Sequence, residues 1–244
     1  MIKHCHKMAI VARCAYLDEK VGIKKFKQLG YSTVKFIDVK GAQAYVASNK
    51  EEIVVAFRGT EPTKKNDIIA DLNAFPDRGQ VGGFVHNGFQ EEVNKVWDKI
   101  LPLVEKKPKK KKLFVSGHSL GGAMATIFSS RLQHLVTALY TYGSPRVGTK
   151  RFIEKCNVLH YRHVNNNDAV PGVPFAILGY RHHGEARYIN HYGNIRALTW
   201  WQRTKDKFRG RWAAIKKFQF FDGFYDHSMD YYVKHTEKNN VGNN

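Results

Sequence analysis

The strongest constraint on the fold is a regular alternation of short apolar runs and helical segments between residues 113 and 164. The pattern predicts, in order, a strand at Leu113–Ser116, a helix at Leu120–Gln133, a strand at Val136–Tyr142, a helix at Lys150–Cys156 and a strand at Val158–Val164. Strands that alternate with helices form βαβ units, in which the strands run parallel and helices cover both faces of the sheet. The sequence therefore predicts an α/β fold with a mostly parallel central sheet.

The segments before this stretch extend the same domain. Apolar residues recur at helical spacing from His6 to Leu17 and from Asn87 to Glu105, which predicts two more helices. Short runs with period two predict strands at Val34–Val39, Ala42–Ser48 and Ile53–Phe57. The 244 residues are 43% hydrophobic and contain no internal repeat or flexible linker, so we expect a single domain over residues 1–244.

Several classes of protein are excluded by composition. The best apolar run near the start, Met8–Ala12, is interrupted by Arg13, well short of the roughly 18 to 20 residues that cross a bilayer. A transmembrane helix and a standard signal peptide are therefore not expected. Cys5, Cys14 and Cys156 have no paired CxxC spacing, which argues against a disulfide scaffold or a zinc site. We expect reduced, buried thiols and a cytoplasmic location, with non-standard export left open.

The sequence Gly117-His118-Ser119-Leu120-Gly121 follows a predicted strand and precedes a predicted helix. This G-x-S-x-G pattern in a strand–turn–helix context is typical of a nucleophile elbow. The turn holds the serine in a strained conformation at the edge of the sheet, and the glycines let neighbouring backbone approach closely. Ser119 is therefore the candidate nucleophile.

A serine nucleophile needs a histidine base and a carboxylate that orients the histidine, in the chain order Ser, acid, His. Asp168 follows the strand Val158–Val164, at the same sheet edge as the elbow. His227 stands where a loop leads into the final predicted helix. The other histidines that we considered occupy poorer positions beside the nucleophile, within a strand or on the late helix: His118, His160, His163 and His235.

The oxyanion of a tetrahedral intermediate needs about two positioned donors. The backbone of Leu120, directly after the nucleophile, supplies one. The sequence has no HGGG motif for the second, but the strand Ile53–Phe57 ends in Arg58-Gly59-Thr60. The amide and hydroxyl of Thr60 therefore stand where the second donor is expected.

These motifs together resemble the class 3 lipases of the fungal triacylglycerol lipase type, over roughly residues 44–233. The resemblance is carried by Val55–Thr60, Ile69–Leu72, Val85–Phe89, Gly117–Gly122, Tyr142–Gly148, Asn167–Pro171 and Asp226–His227. It implies an α/β-hydrolase fold and hydrolysis of lipid carboxylic esters without metal or cofactor. It also implies these roles: Ser119 nucleophile, Asp168 acid, His227 base, Thr60 and Leu120 oxyanion hole, and Asp71 a partner that holds the Thr60 hydroxyl.

The chain departs from the family in two respects. Glu61–Asp67 is short and polar where the secreted fungal enzymes carry an apolar lid with a Trp, and the secretory disulfide pattern is missing. We therefore do not extend the resemblance to interfacial activation or to secretion.

The net charge of +19 raises the question of polyanionic partners. The basic run Lys106–Lys112 is interpreted as a solvated loop, with attraction to anionic lipid surfaces as the alternative. The segment Trp200–Phe221 combines aromatic residues at helical spacing with many cations, which fits either a core-facing helix or an interfacial helix that forms part of the acyl-site wall. No motif of a known nucleic-acid module is present, so no specific nucleic acid is expected.

The sequence thus predicts a serine carboxylester hydrolase, most simply a lipase with a lipid ester substrate. Two alternatives stay open. One is a short-chain esterase or phospholipase with the same three residues. The other belongs to a different class, a basic lipid- or nucleic-acid-binding protein with a vestigial site.

Overall fold

Two β-sheets organise the computed structural model, which describes residues 2–59, 75–196, 201–202, 204–206 and 227–241. The strands are β1 (Thr33–Val39), β2 (Ala42–Ser48), β3 (Glu52–Phe57), β4 (Pro76–Arg78), β5 (Phe84–His86), β6 (Lys112–His118), β7 (Ala138–Tyr142), β8 (Gly148–Thr149), β9 (His160–Asn165), β10 (Tyr180–Arg181), β11 (Glu185–Ile189) and β12 (Ile195–Arg196). The helices are α1 (Ile2–Cys14), α2 (Glu19–Gln28), α3 (Asn87–Val104), α4 (Leu120–Arg131), α5 (Lys150–Lys155) and α6 (Met229–Val241).

The main sheet has eight strands in the order β1-β2-β3-β6-β7-β9-β11-β12. The five strands from β3 to β11 are parallel, while β1, β2 and β12 pair antiparallel with their neighbours. The predicted mostly parallel central sheet is therefore confirmed. Helix α4 packs on β6 together with α3 on one face, and α1 packs on β6 together with α6 on the other.

Period-two alternation in β3 explains why both faces of the sheet are covered. Ile53, Val55 and Phe57 belong to the core beneath α3 and α4, whereas Val54 and Ala56 belong to the core beneath α1 and α6. Because both sets are apolar, the strand is stable only when helices bury both of its sides.

The parallel register brings the site together. Phe57 of β3 pairs with Gly117 of β6, and His118 of β6 pairs with Tyr142 of β7, which pairs with His163 of β9. The segments that follow these strands therefore leave the sheet at one edge.

The second sheet was not predicted from the sequence. Its order is β10-β8-β5-β4 with antiparallel pairing, and its strands have only two or three residues each. Strands of two or three residues are too short to show an alternation of apolar and polar residues in the sequence. They form only when other segments of the chain pair with them. Helix α2 was missed as well, since only Gly22 and Phe26 of its ten residues are buried.

The structure tests only some of the other predictions made from the sequence. The three cysteines are buried, as predicted. Glu61–Asp67 and most of Trp200–Phe221 lie outside the described residues, but Trp201 is described and is 68% exposed, so its side chain is not in the core. Each helix of the described ranges is too short or too polar to cross a bilayer.

Candidate active site

Ser119 lies at the sharp turn between β6 and α4. Its φ of 57° and ψ of −130° are strained for a residue with a side chain. Its N–H donates to the Tyr142 carbonyl oxygen at 3.0 Å, which ties the turn to the end of β7. The serine therefore occupies the strand–turn–helix position that the G-x-S-x-G pattern predicts.

The two flanking glycines are required by close backbone approach. A Cβ on Gly117 would lie 2.1 Å from the Gly121 carbonyl oxygen, and a Cβ on Gly121 would lie 2.3 Å from the Phe57 carbonyl oxygen. Neither gap can hold a methyl group. The elbow is therefore packed directly against the end of β3.

The carboxylate of Asp168 lies against the imidazole of His227. His227 Nδ1 is 2.9 Å from Oδ2 and 3.0 Å from Oδ1 of Asp168, and both side chains are buried. Asp168 follows β9 and His227 lies two residues before the start of α6, so the fold brings together two predicted residues from distant segments. A carboxylate at Nδ1 holds the proton there and leaves Nε2 of the ring as an acceptor.

Two further groups fix the Asp168 carboxylate. The Tyr232 hydroxyl on α6 donates to Oδ2 at 2.5 Å, and the Val170 N–H donates to Oδ1 at 2.9 Å. Sequence reasoning missed Tyr232, because no motif marks it and its only signal is its place on α6, five residues after His227. The orientation of the carboxylate is therefore set by three partners.

Gly143 forms a wall of the same pair, which sequence reasoning also missed. Its φ is +57°, and a Cβ there would lie 2.6 Å from Asp168 Oδ2 and 2.8 Å from His227 Nδ1. Any larger residue would push the two side chains apart.

Oγ of Ser119 and Nε2 of His227 are both buried and, within the described part of the chain, have no hydrogen-bond partner. Buried polar atoms are almost always hydrogen-bonded, so each exception needs an explanation. Both residues contact the same short stretch of backbone, Ser119 at Tyr142 and His227 at Gly143. The two unpaired atoms are a donor and an acceptor at one sheet edge.

His118 supports this arrangement from the other side. Its Nε2–H donates to the His227 carbonyl oxygen at 2.7 Å, and its Nδ1 accepts the Tyr16 hydroxyl proton at 2.7 Å. Burial, and then the neighbouring His227, lower the pKa of His118 well below its ordinary value, so the ring stays neutral. Both nitrogens are occupied, which excludes His118 as a base and makes it a support for the His227 backbone.

A cavity of about 560 Å³ opens beside Ser119 and Leu120. Leu120 is the first residue of α4, so its N–H has no acceptor inside the helix. Apolar side chains and a group of cationic and amide side chains both contribute to the lining: Phe89, Met124 and Val170 on the one hand, Lys40, Gln43, Arg58 and Lys95 on the other.

Thr60 and Asp71 lie outside the described residues, so their predicted roles stay predictions. The described chain ends just before them at Gly59, where a Cβ would lie 3.3 Å from Cβ of Ser119. The end of β3 therefore approaches the elbow. Within the described ranges, no three His, Cys, Asp or Glu side chains come together in a way that could hold a metal ion.

A family model described as lipase (class 3) matches residues 54–178, just over half of the chain. The chain belongs to the class 3 lipase family. The matched part of this class 3 lipase contains Ser119, Leu120 and Asp168 and ends before His227. The resemblance to class 3 lipases that the sequence motifs indicate is therefore confirmed.

Two relatives of this family member are a bacterial toxin and a fungal lipase. Toxin TseL of Vibrio cholerae serotype O1 is 41% identical over 150 residues, which are 57% of this chain and 22% of the toxin. Secreted mono- and diacylglycerol lipase 1 of Fusarium solani is 36% identical over 154 residues, 58% of this chain and 46% of that protein. The chain thus spans less than half the length of both relatives.

Solved structures confirm the fold of this family member. The crystal structure of lipase from Rhizopus microsporus var. chinensis superposes with a TM-score of 0.65 and 29% identity, covering 77% of this chain and 74% of that one. The predicted α/β-hydrolase fold is therefore confirmed.

Proposed function

We propose that the protein is a serine carboxylester hydrolase, and more narrowly a lipase that acts on triacylglycerol or related lipid esters. One observation carries the proposal. Asp168 holds Nδ1 of the buried His227 ring, while Nε2 of the same ring and Oγ of Ser119 are buried and, among the described residues, have no hydrogen-bond partner. These are the atoms between which a serine nucleophile passes its proton. Membership of the class 3 lipase family supports the choice of an ester substrate.

In the proposed reaction, Ser119 Oγ attacks the ester carbonyl carbon while His227 Nε2 takes the hydroxyl proton. Asp168 stays ionised and stabilises the imidazolium that forms. The Leu120 N–H donates to the oxyanion, and Thr60, held by Asp71, supplies the second donor that the resemblance implies.

The tetrahedral intermediate collapses when His227 passes the proton to the departing alcohol, leaving an acyl group on Ser119. A water molecule then attacks the acyl carbon and gives its proton to His227. The bond from the acyl carbon to Ser119 Oγ breaks as His227 returns that proton to Oγ, and the carboxylic acid is released. His118 keeps the His227 backbone in place through both halves, because its own nitrogens are engaged.

The apolar part of the cavity lining supports an acyl chain as the bound group. A phospholipase is the second candidate, and one observation favours it. Lys40, Arg58 and Lys95 line the same cavity and would attract an anionic head group. The excess of cations also leads us to propose peripheral contact with anionic lipid surfaces.

Turnover of p-nitrophenyl butyrate, emulsified triacylglycerol and phospholipid by the purified protein tests these proposals. We expect Ser119→Ala to abolish labelling by a phosphonate inhibitor and to lower turnover by at least ~1000-fold, because only binding and the oxyanion hole remain. Asp168→Asn should lower turnover by a similar order while the protein stays folded, since the wrong tautomer of His227 would face the serine.

Asp230→Asn is the matched control, because Asp230 is exposed, lies close to His227 in sequence and pairs only at the surface with Arg13. It should keep wild-type turnover. Labelling that survives Ser119→Ala, or a larger loss from Asp230→Asn than from Asp168→Asn, would overturn the assignment. A wild-type protein that turns over none of these esters would instead favour a binding protein with a vestigial site.

A further inference from the structure

Three large apolar side chains within four consecutive residues are exposed to solvent. Phe175 is 64% exposed, Ile177 is 92% exposed and Leu178 is 60% exposed. Single exposed apolar residues are ordinary on protein surfaces, but a contiguous group marks a contact site. We call residues 173–181 the apolar loop.

Two arginines hold the apolar loop in shape. The Arg146 N–H donates to the Val173 carbonyl oxygen at 2.8 Å, and its guanidinium donates to the carbonyl oxygens of Gly172 and Pro174. The Arg181 guanidinium donates to the Ala176 carbonyl oxygen at 2.7 Å. The exposed side chains are therefore presented by a braced turn.

The positive charge of these arginines is not neutralised locally. Among the described residues, no carboxylate forms an ion pair with Arg146 or Arg181. Both guanidinium groups donate to backbone carbonyl oxygens of one short segment, residues 172–176, so the two cations lie on the same part of the chain. Burial, and then the charge of Arg181, lower the pKa of Arg146. The apolar loop thus carries two cations at its base.

The apolar loop adjoins the candidate active site. Val170, just before it, and Pro145, just before Arg146, both line the cavity that contains Ser119. A surface that contacts the loop would therefore lie next to the place where an ester must enter.

We propose that the apolar loop docks the protein on an anionic lipid surface, with Phe175, Ile177 and Leu178 entering the interfacial region and Arg146 and Arg181 binding lipid phosphates. The two chemistries of the loop match this partner, because an anionic bilayer offers apolar depth beneath a layer of negative charge. A second copy of this chain is a poor fit, since each copy carries a net charge of +19.

The biological purpose of this docking rests on the proposed function, but its test does not. Binding is measured by co-sedimentation with vesicles of equal parts phosphatidylglycerol and phosphatidylcholine, and with phosphatidylcholine alone. All proteins carry Ser119→Ala, so that no hydrolysis alters the vesicles. We expect binding to the anionic vesicles, and a loss of at least ~10-fold when Phe175, Ile177 and Leu178 are all changed to Ser.

Leu159→Ser is the matched control. Leu159 is 56% exposed, precedes β9 at the opposite sheet edge, and lies in a groove that Lys110 and Lys112 also line. This variant therefore removes an exposed apolar side chain from a basic surface, and it should bind vesicles like the parent protein. Arg181→Gln should weaken binding to the anionic vesicles and leave binding to phosphatidylcholine unchanged.

A second readout covers the case in which the triple variant fails to fold. Ile177→Cys can be labelled selectively, because the three native cysteines are buried. An environment-sensitive fluorophore there should shift to the blue on anionic vesicles. Unchanged binding by a folded triple variant, an equal loss from Leu159→Ser, or no fluorescence shift would overturn the proposal, as would loop variants that change only self-association.

The triple variant is also made with Ser119 intact and assayed on soluble p-nitrophenyl butyrate. Wild-type turnover there, together with lost vesicle binding by its Ser119→Ala counterpart, would show that docking and catalysis are separate properties. A protein with the wild-type sequence that binds the anionic vesicles but hydrolyses none of the esters would contradict the proposed function and leave the docking proposal standing.

Discussion

Tyr232 connects the final helix to the candidate acid. Its hydroxyl donates to Asp168 Oδ2 at 2.5 Å and accepts the Asn165 N–H at 3.0 Å, and its side chain is fully buried. A hydroxyl in this position serves two segments, the loop after β9 and helix α6. The carboxylate is therefore aimed at His227 by a residue that takes no part in the proposed proton transfers.

We expect Tyr232→Phe to lower kcat on p-nitrophenyl butyrate by about 10-fold or more, with KM nearly unchanged. A hydrogen bond to a charged group contributes roughly 1.5–3 kcal/mol, and the substitution removes the one that the Tyr232 hydroxyl donates to Asp168. Steady-state kinetics with a soluble ester measure the effect.

The control for this variant is Tyr231→Phe, which changes the exposed neighbouring tyrosine. It should keep wild-type kcat. A Tyr232→Phe protein with wild-type kcat would show that Val170 and His227 alone orient the carboxylate.

The elbow depends on how closely β3, β6 and α4 approach one another. A Cβ on Gly121 would meet the Phe57 carbonyl oxygen at 2.3 Å and the Arg58 carbonyl carbon at 2.9 Å, both of them backbone atoms. Backbone of a central parallel strand cannot move without disturbing its neighbours. The glycine therefore sets the distance between two elements as well as the shape of a turn.

Gly121→Ala should lower the free energy of unfolding by about 1–3 kcal/mol, because the added methyl group overpacks the junction of α4 with β3. Denaturant unfolding measures the loss. Gly172→Ala is the control, since, apart from its two chain neighbours, no residue has an atom within 4 Å of the Cβ it would add. Its stability should change by less than about 0.5 kcal/mol. Equal stabilities for the two variants would show that the elbow accommodates the methyl group.

Across the whole molecule, several histidines are buried in the neutral form. Burial is the largest cause that lowers the pKa values of His118, His160 and His163, the last to about 3. In the unfolded chain these rings would titrate near their ordinary value of 6.5. Below that pH the unfolded state binds protons that the folded state excludes, so stability falls as the pH decreases.

Each of these histidines should lower the free energy of unfolding by about 1.4 kcal/mol for each pH unit below 6.5. These three rings alone contribute a loss of about 4 kcal/mol between pH 7.5 and pH 5.5, and other histidines with lowered pKa values, among them His182, add to it. Denaturant unfolding at high salt measures it, because salt screens the repulsion among surface cations.

His163→Phe should reduce this loss by about 1.4 kcal/mol, since it removes one such ring from its buried position against Tyr142. His134→Gln, at an exposed position, should leave it unchanged. A stability that is flat between pH 7.5 and 5.5 would contradict the linkage argument.

The sequence by itself determined the fold class and the positions of Ser119, Asp168 and His227. These features are encoded locally. Hydrophobic periodicity identifies strands and helices, the G-x-S-x-G pattern identifies the elbow, and parallel strands must end at one edge of the sheet. The resemblance to class 3 lipases added the role of Asp71, and this role and that of Thr60 stay predictions.

The tertiary structure decided which other residues surround these three. No local pattern marks the hydrogen bond of Tyr232 to Asp168, the packing of Gly143 against the His227–Asp168 pair or the hydrogen bonds of His118, because each joins segments far apart in the chain. The exposure of the apolar loop was equally hidden, since Phe175, Ile177 and Leu178 would suit a buried strand just as well. Burial depends on what packs against a side chain, and that is a property of the folded chain rather than of any local pattern.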